Sequence, residues 1–166
     1  LFQLALNIRQ ADLKEYPANA HFRDELAKLL ATGYVNDRER KVDYLRQAED
    51  LLQELLEKSS ESQELRARLA STRLDLGTLI AERGDHDEAE KLWLRAMIAY
   101  SQLASDFPDV PSYVSGKASV LANLAELSLN MDADRREEGV RYSDQAIQHR
   151  AQLAERYPNT HEFKFK

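Results

Sequence analysis

The residues of this chain that could do chemistry are few and scattered. Its histidines, His21, His86, His149 and His161, share no ligand spacing. His86 stands among Asp85, Asp87 and Glu88, donors that suit a divalent cation, yet three acids in one stretch are also what the positive end of a helix attracts. The paired carboxylates Glu137 and Glu138 lie among Arg135, Arg136 and Arg141, as on a solvated helix face rather than in an acid–base pair. Arg83-Gly84-Asp85 spells an adhesion tripeptide, but a Gly followed by Asp is also how one helix ends and the next begins. Gly116-Lys117 with Ser119 echoes a phosphate loop without the upstream Gly, the adjacent hydroxyl or a preceding strand. There is no cysteine, which removes thiolate nucleophiles, thiolate metal sites and disulfides. GxSxG and HExxH motifs are absent as well. The sequence therefore predicts no catalytic residue, no metal site and no cofactor.

The elements carrying these residues belong to a chain of 166 residues, 43% hydrophobic and 31% charged, with five Gly and four Pro. That is enough apolar material for a core and too little turn chemistry for a sandwich or barrel. A net charge of −6 and a pI near 5.3 argue against nucleic acid or an anionic membrane surface as partner. The best basic group, Arg135, Arg136, Arg141 and Arg150, is interleaved with acids. No apolar run approaches the roughly 18 residues a spanning helix needs, so no membrane insertion is expected. The chain starts at Leu1 with no basic-then-apolar leader, and a fragment of a longer, cytoplasmic protein is expected.

Internal repetition organises the chain. Ala5, Ala48, Ala96 and Ala146 are each followed twelve residues later by a stop, at Pro17, Ser60, Pro108 and Pro158. An aromatic precedes three of these stops, at Tyr16, Phe107 and Tyr157. Five residues beyond each stop comes a large apolar side chain, Phe22, Leu65, Tyr113 and Phe163; ten beyond the first three come Ala27, Ala70 and Ala118. Seventeen beyond come Tyr34, Gly77 and Ala125. The anchoring alanines are 43, 48 and 50 residues apart, and all of the variation falls after the last of these positions, which predicts one variable loop in an otherwise fixed two-helix module.

Ala89, Leu92, Trp93, Ala96, Tyr100, Leu103 and Phe107 recur at three- and four-residue steps, one face of a helix. Val42 to Leu56 repeats the pattern, and Tyr142, Ala146, Leu153 and Tyr157 do so more sparsely. Gly84 is predicted to take a left-handed helix end, Asp85 with Glu88 a capping box, and Asp109 an N-cap before Pro111. His149 takes the repeat position of Ile8, Leu51 and Ala99, which reads as packing. No stretch alternates as a strand, and 163–166 reads as the start of another helix.

Leu76-Gly77, Ile80, Gly84, Ala89, Trp93 and Ala96 stand at the spacing L-G-x2-Y-x3-G-x4-A-x3-F-x2-A, which resembles the tetratricopeptide repeat. The resemblance implies an all-α, right-handed α-solenoid of about seven helices plus a C-terminal stub. Its divisions are 1–17, a trailing helix of a preceding unit; 18–60, 61–108 and 109–158, three units; and 159–166, the start of a further one. Arg73 stands where the family has Trp and Ser101 where it has the terminating Pro. The second helix therefore runs on to Phe107, giving elongated units similar to those of kinesin light chains. The third unit has Ala125 and Gly139 for the family's Gly and Ala, and the first has Tyr34 at the small position. The link from Phe107 to Tyr113 resembles those in repeat arrays attached to bacterial eukaryotic-type serine/threonine kinases.

In that family the first helix of each unit lines a concave groove. Carried over, the groove positions are Ser71, Leu74, Asp75, Thr78, Ala81 and Glu82 in the middle unit. They are Ser119, Ala122, Asn123, Glu126, Leu129 and Asn130 in the third, with Lys28, Ala31 and Thr32 from the first. The set is polar with an acidic lean and, Asn123 apart, lacks the basic clamp that holds a peptide's C-terminal carboxylate in one subfamily. The expected function is a non-catalytic scaffold in a signalling protein, binding a neutral or basic protein segment. The alternative is a structural spacer or end-to-end homo-oligomer, stacking through Phe2 and Phe163 and serving as the regulatory region of a kinase.

Overall fold

The computed structural model describes residues 1–131, 133–158 and 160. The described residues form seven helices and no strand: α1 (Phe2–Glu15), α2 (Ala20–Thr32), α3 (Arg38–Lys58), α4 (Gln63–Glu82), α5 (His86–Asp106), α6 (Pro111–Leu129) and α7 (Ala133–Arg156). Each helix packs against its successor and α4 also reaches α6, while α7 makes no extended packing on α1 among the described residues. Packing that runs along the chain without closing is that of an α-solenoid, here α1 followed by the hairpins α2–α3, α4–α5 and α6–α7. The segment 161–166, with Phe163 and His161, lies outside the described residues.

The helix ends show local chemistry at work. Asn19, Asp37, Ser62 and Asp85 each accept backbone N–H groups at the start of α2, α3, α4 and α5. After α4, Gly84 at φ 88° donates its N–H to the Ala81 carbonyl and Asp85 donates to that of Ile80, closing the helix with a paired left-handed cap. The expected capping box is half formed. Asp85 receives the Glu88 N–H at 3.1 Å, but Asp85's own N–H is taken by Ile80, and the Glu88 carboxylate turns to Arg46 at 3.0 Å. Asp109 is not the cap of α6: Val110 holds that place with Pro111 next, and Asp109 instead meets Arg156 at 2.6 Å.

Small residues let the helices close on one another. Ala27, Ala48, Ala70, Ala89, Ala96 and Ala118 are all fully buried. A Cβ on Gly77 of α4 would sit 2.6 Å from the Trp93 indole nitrogen of α5, so only a bare backbone fits beneath that ring. Trp93 donates its Nε1–H to the Leu74 carbonyl at 3.3 Å. Gly116 plays the same part against the Tyr100 ring, inside α6 and far from any phosphate-loop geometry.

Three further sequence expectations change here. The variable segment is mostly helix, not loop, because the connections into α3, α5 and α7 are all short. Between the first two units the length of the first helix varies, α2 ending at Thr32 whereas α4 continues to Glu82, well past Gly77; in the third the added residues lie at the start of α7, which begins at Ala133. Tyr34 therefore lies beyond α2, 84% exposed, instead of in a small helix-packing position. Phe2 is not a free terminal face either; it packs on Tyr44 at 5.7 Å between ring centroids and covers Gly33.

Candidate functional site

The first helices of the three hairpins, α2, α4 and α6, share one side of the solenoid. On α4 the positions Arg68, Ser71, Asp75 and Thr78 follow at three- and four-residue steps, so their side chains leave the same face. On α6 the row is Ser119, Asn123, Glu126 and Asn130. A hydrogen bond from Asn123 Nδ2 to Thr78 Oγ1, 3.2 Å, ties the two rows together.

Three cavities open along this side. Between α2 and α4, one of about 110 Å³ is bounded by Lys28, Ala31, Thr32, Ser71 and Asp75. Between the starts of α4 and α6, one of about 500 Å³ has Ser71 and Arg68 on one wall and Tyr100 and Tyr113 on the other. At the far end, one of about 240 Å³ gathers Ala81, Asn123, Glu126 and Asn130 over Trp93. Of the residues expected in a groove, Lys28, Ala31, Thr32, Ser71 and Asp75 come together in the first of these, and Ala81, Asn123, Glu126 and Asn130 in the last. Thr78 joins them through its bond to Asn123.

The others do not face these spaces. Leu74 is half-buried against the main core and contributes its carbonyl to Thr78 and Trp93. Glu82 is held at the edge by Arg38 at 2.9 Å. Ser119 and Ala122 are half-buried along α6 and line none of the three cavities. Leu129 meets Gly139 of α7.

Electrostatics centre on Lys41 and Asp75. Lys41 Nζ donates to the carbonyls of Ala31 at 2.7 Å and Gly33 at 2.9 Å, satisfying the open end of α2 with a cation. Burial lowers the Lys41 pKa, and the nearby Asp75 carboxylate works against that shift. Asp75 keeps a solvent-exposed surface but lines the cavity between α2 and α4; burial raises its pKa, and Lys41 pulls it back. Burial likewise raises the Tyr100 pKa, opposed by its hydrogen bond with Ser71.

Sequence reasoning missed Arg68, Lys41, Tyr100 and Tyr113. Arg68 precedes Ser71 and Asp75 by three and seven residues, a helical step that places it in the same row. Tyr100 gave no such signal, since it belongs to a second helix and reaches the cavity beside Gly116. Elsewhere, Arg135 pairs with Glu90 and Glu138, which consumes much of the basic group at the start of α7. Arg73, in the family's Trp position, is bonded to Glu49 at 2.7 Å and Gln53 at 3.2 Å. His149 is half-buried; that burial, together with Lys117, lowers its pKa.

No protein-family model matches the chain. No curated protein matches it either. Among solved structures the chain is similar to one described as the crystal structure of MamA, at 17% identity over 93% of this chain and 91% of that one, with a TM-score of 0.32. Among the described residues no group of three or more His, Asp and Glu is placed to hold a metal ion, and no helix is long and apolar enough to cross a membrane.

Proposed function

We propose that this chain is a non-catalytic interaction module of tetratricopeptide type, with units at 18–60, 61–108 and 109–158, which holds a neutral or basic segment of another protein along α2, α4 and α6. The observation that carries this reading is the continuous polar row from Lys28 through Ser71, Asp75 and Thr78 to Asn123 and Glu126, running past three cavities on one side of a rigid stack. Such a surface is already formed before binding, so little ordering of the receptor opposes association. Signalling, and a regulatory place beside a kinase, are inferred from the resemblance of the 107–113 link alone.

Peptides selected on the immobilised chain test the reading. Ser71→Arg, which fills two adjoining cavities, should weaken the selected peptides at least about tenfold, an effect of roughly 1.4 kcal/mol, while the thermal midpoint stays put. Undiminished binding to that variant moves the site elsewhere. A second reading, self-association, is favoured by exposed apolar side chains on both end helices: Leu1, Leu4 and Ile8 at α1, Val140 and Ile147 on α7. Light scattering that shows mass rising with concentration, and falling back with Leu4→Glu, supports it; a fixed monomer mass removes it.

A further inference from the structure

The cavity at the end of α4 has a composition unlike the other two. Its floor is apolar: Trp93, 4% exposed, Leu127, 8% exposed, and Met131. Its wall carries Asn123, Glu126 and Asn130 at successive helical steps on one face of α6, and His86 at the start of α5 completes the lining. The orientation of Asn123 follows from a chain of hydrogen bonds. Thr78 spends its hydroxyl proton on the Leu74 carbonyl at 2.9 Å, so it can only accept from Asn123, and the Asn123 amide must present its NH2 to Thr78. Its Oδ1 is left as a free acceptor.

The wall thus offers the Glu126 carboxylate and the Asn123 carboxamide oxygen. The neighbouring carboxylates are spoken for: Glu82 by Arg38, Glu88 by Arg46 and Glu90 by Arg135. Among the described residues no cation pairs with Glu126. An acceptor-lined wall with an uncompensated charge, above an indole and a methionine, is complementary to a side chain with an apolar stem and a cationic tip.

We propose that this cavity is a specificity pocket for one lysine or arginine side chain of the bound segment. The inference rests on the groove reading above and narrows it to a partner with a basic anchor residue. The stem lies on Trp93 and Met131, and the ammonium or guanidinium donates to Glu126 and the Asn123 carbonyl. An acidic side chain here would meet the Glu126 carboxylate, with only the His86 ring and the Asn130 amide as donors left to it.

The test titrates the full 166-residue chain with the N-acetyl N-methylamides of lysine, arginine, norleucine and glutamic acid, following the indole N–H resonance of Trp93, the chain's single tryptophan. The two basic compounds should shift it saturably. Norleucine, which has the stem without the charge, should bind at least about fivefold more weakly, and glutamate should leave it unmoved. Glu126→Gln should weaken the basic compounds about tenfold and norleucine hardly at all. Equal affinity for lysine and norleucine, or an unchanged affinity in Glu126→Gln, overturns the pocket. Groove-bound peptides that shift amides at Ser71 and Asp75 but leave Trp93 still also overturn it, with the groove intact. A Trp93 response to the basic compounds without any peptide bound along α2 and α4 supports the pocket and overturns the groove.

Discussion

The hairpins α2–α3 and α4–α5 carry the same repeat pattern and solve the end of their first helix in different ways. In the second, α4 runs past Gly77, the Trp93 ring lies on that glycine, and the chain turns through Gly84 with both cap hydrogen bonds made. In the first, α2 stops at Thr32 before reaching the equivalent position, and Tyr34 swings out to solvent. The carbonyls left open there go to the ammonium of Lys41 from the next helix. The core is divided unevenly: α4, α5 and α6 share one large cluster that Val42 and Leu45 of α3 also enter, Leu6, Leu26, Leu30 and Ala48 form a smaller one, and Ala27 and Leu52 meet Leu69 of α4 in another. A repeat thus tolerates the loss of its small-residue contact when a side chain from the neighbouring helix replaces the backbone cap.

The difference is sharpest at the aromatic it depends on. Trp93→Ala, which empties a nearly fully buried site touching α4 and the core, is expected to cost about 3–5 kcal/mol in chemical denaturation. A loss below about 1 kcal/mol means that the middle hairpin is no better packed than the first. Next in size is a matched pair at repeat-equivalent positions. Gly77→Ala pushes a methyl to 2.6 Å from the indole and should cost about 1–3 kcal/mol, whereas Tyr34→Ala should stay within about half a kcal/mol. Equal losses would erase the contrast.

Much of this architecture was legible beforehand because it rests on local rules. Helical periodicity placed Ala89, Trp93, Ala96 and Leu103 inward, and all are buried. The pairing of Gly84 with Asp85 marked the turn between α4 and α5. What failed depends on distant partners. Asp109 looks like an N-cap until Arg156, almost fifty residues away, competes for it at 2.6 Å. Nothing near Lys41 in sequence says that its ammonium ends another helix. Of the groove positions, Ser71, Asp75, Asn123, Glu126 and Asn130 reach the cavities, while Glu82 is held by an arginine of α3 and Leu129 by α7. Helical spacing fixes the direction a side chain leaves its own helix, not which neighbour claims it.

Lys41 supplies the next test. Lys41→Met keeps the stem and removes the donors to Ala31 and Gly33, and is expected to cost about 1–2 kcal/mol. The loss should appear locally as faster amide exchange in the last turn of α2, with α4 unaffected. Exchange that accelerates equally in α4 would mean that the first hairpin's end is not separately held.

The smallest effect concerns Asp75 and its repeat equivalent in the third hairpin, Asn123. Protein around Asp75 raises its pKa above the ordinary 3.8, and Lys41 offsets part of this. A raised pKa means that the folded chain holds this proton more tightly than the unfolded one. As pH climbs from 3.8 through the raised value, the native state therefore gives up stability, and below 3.8 that stability is fully present. Asp75→Asn, which gives the second hairpin the residue of the third, should accordingly raise the thermal midpoint at pH 7 and leave it unchanged at pH 3. Solvent reaches the carboxylate, so the gain stays below about half a kcal/mol. A variant less stable than the parent at pH 7 would show that attraction to Lys41 outweighs burial, and that the cation ending α2 is also an electrostatic link between the first two hairpins.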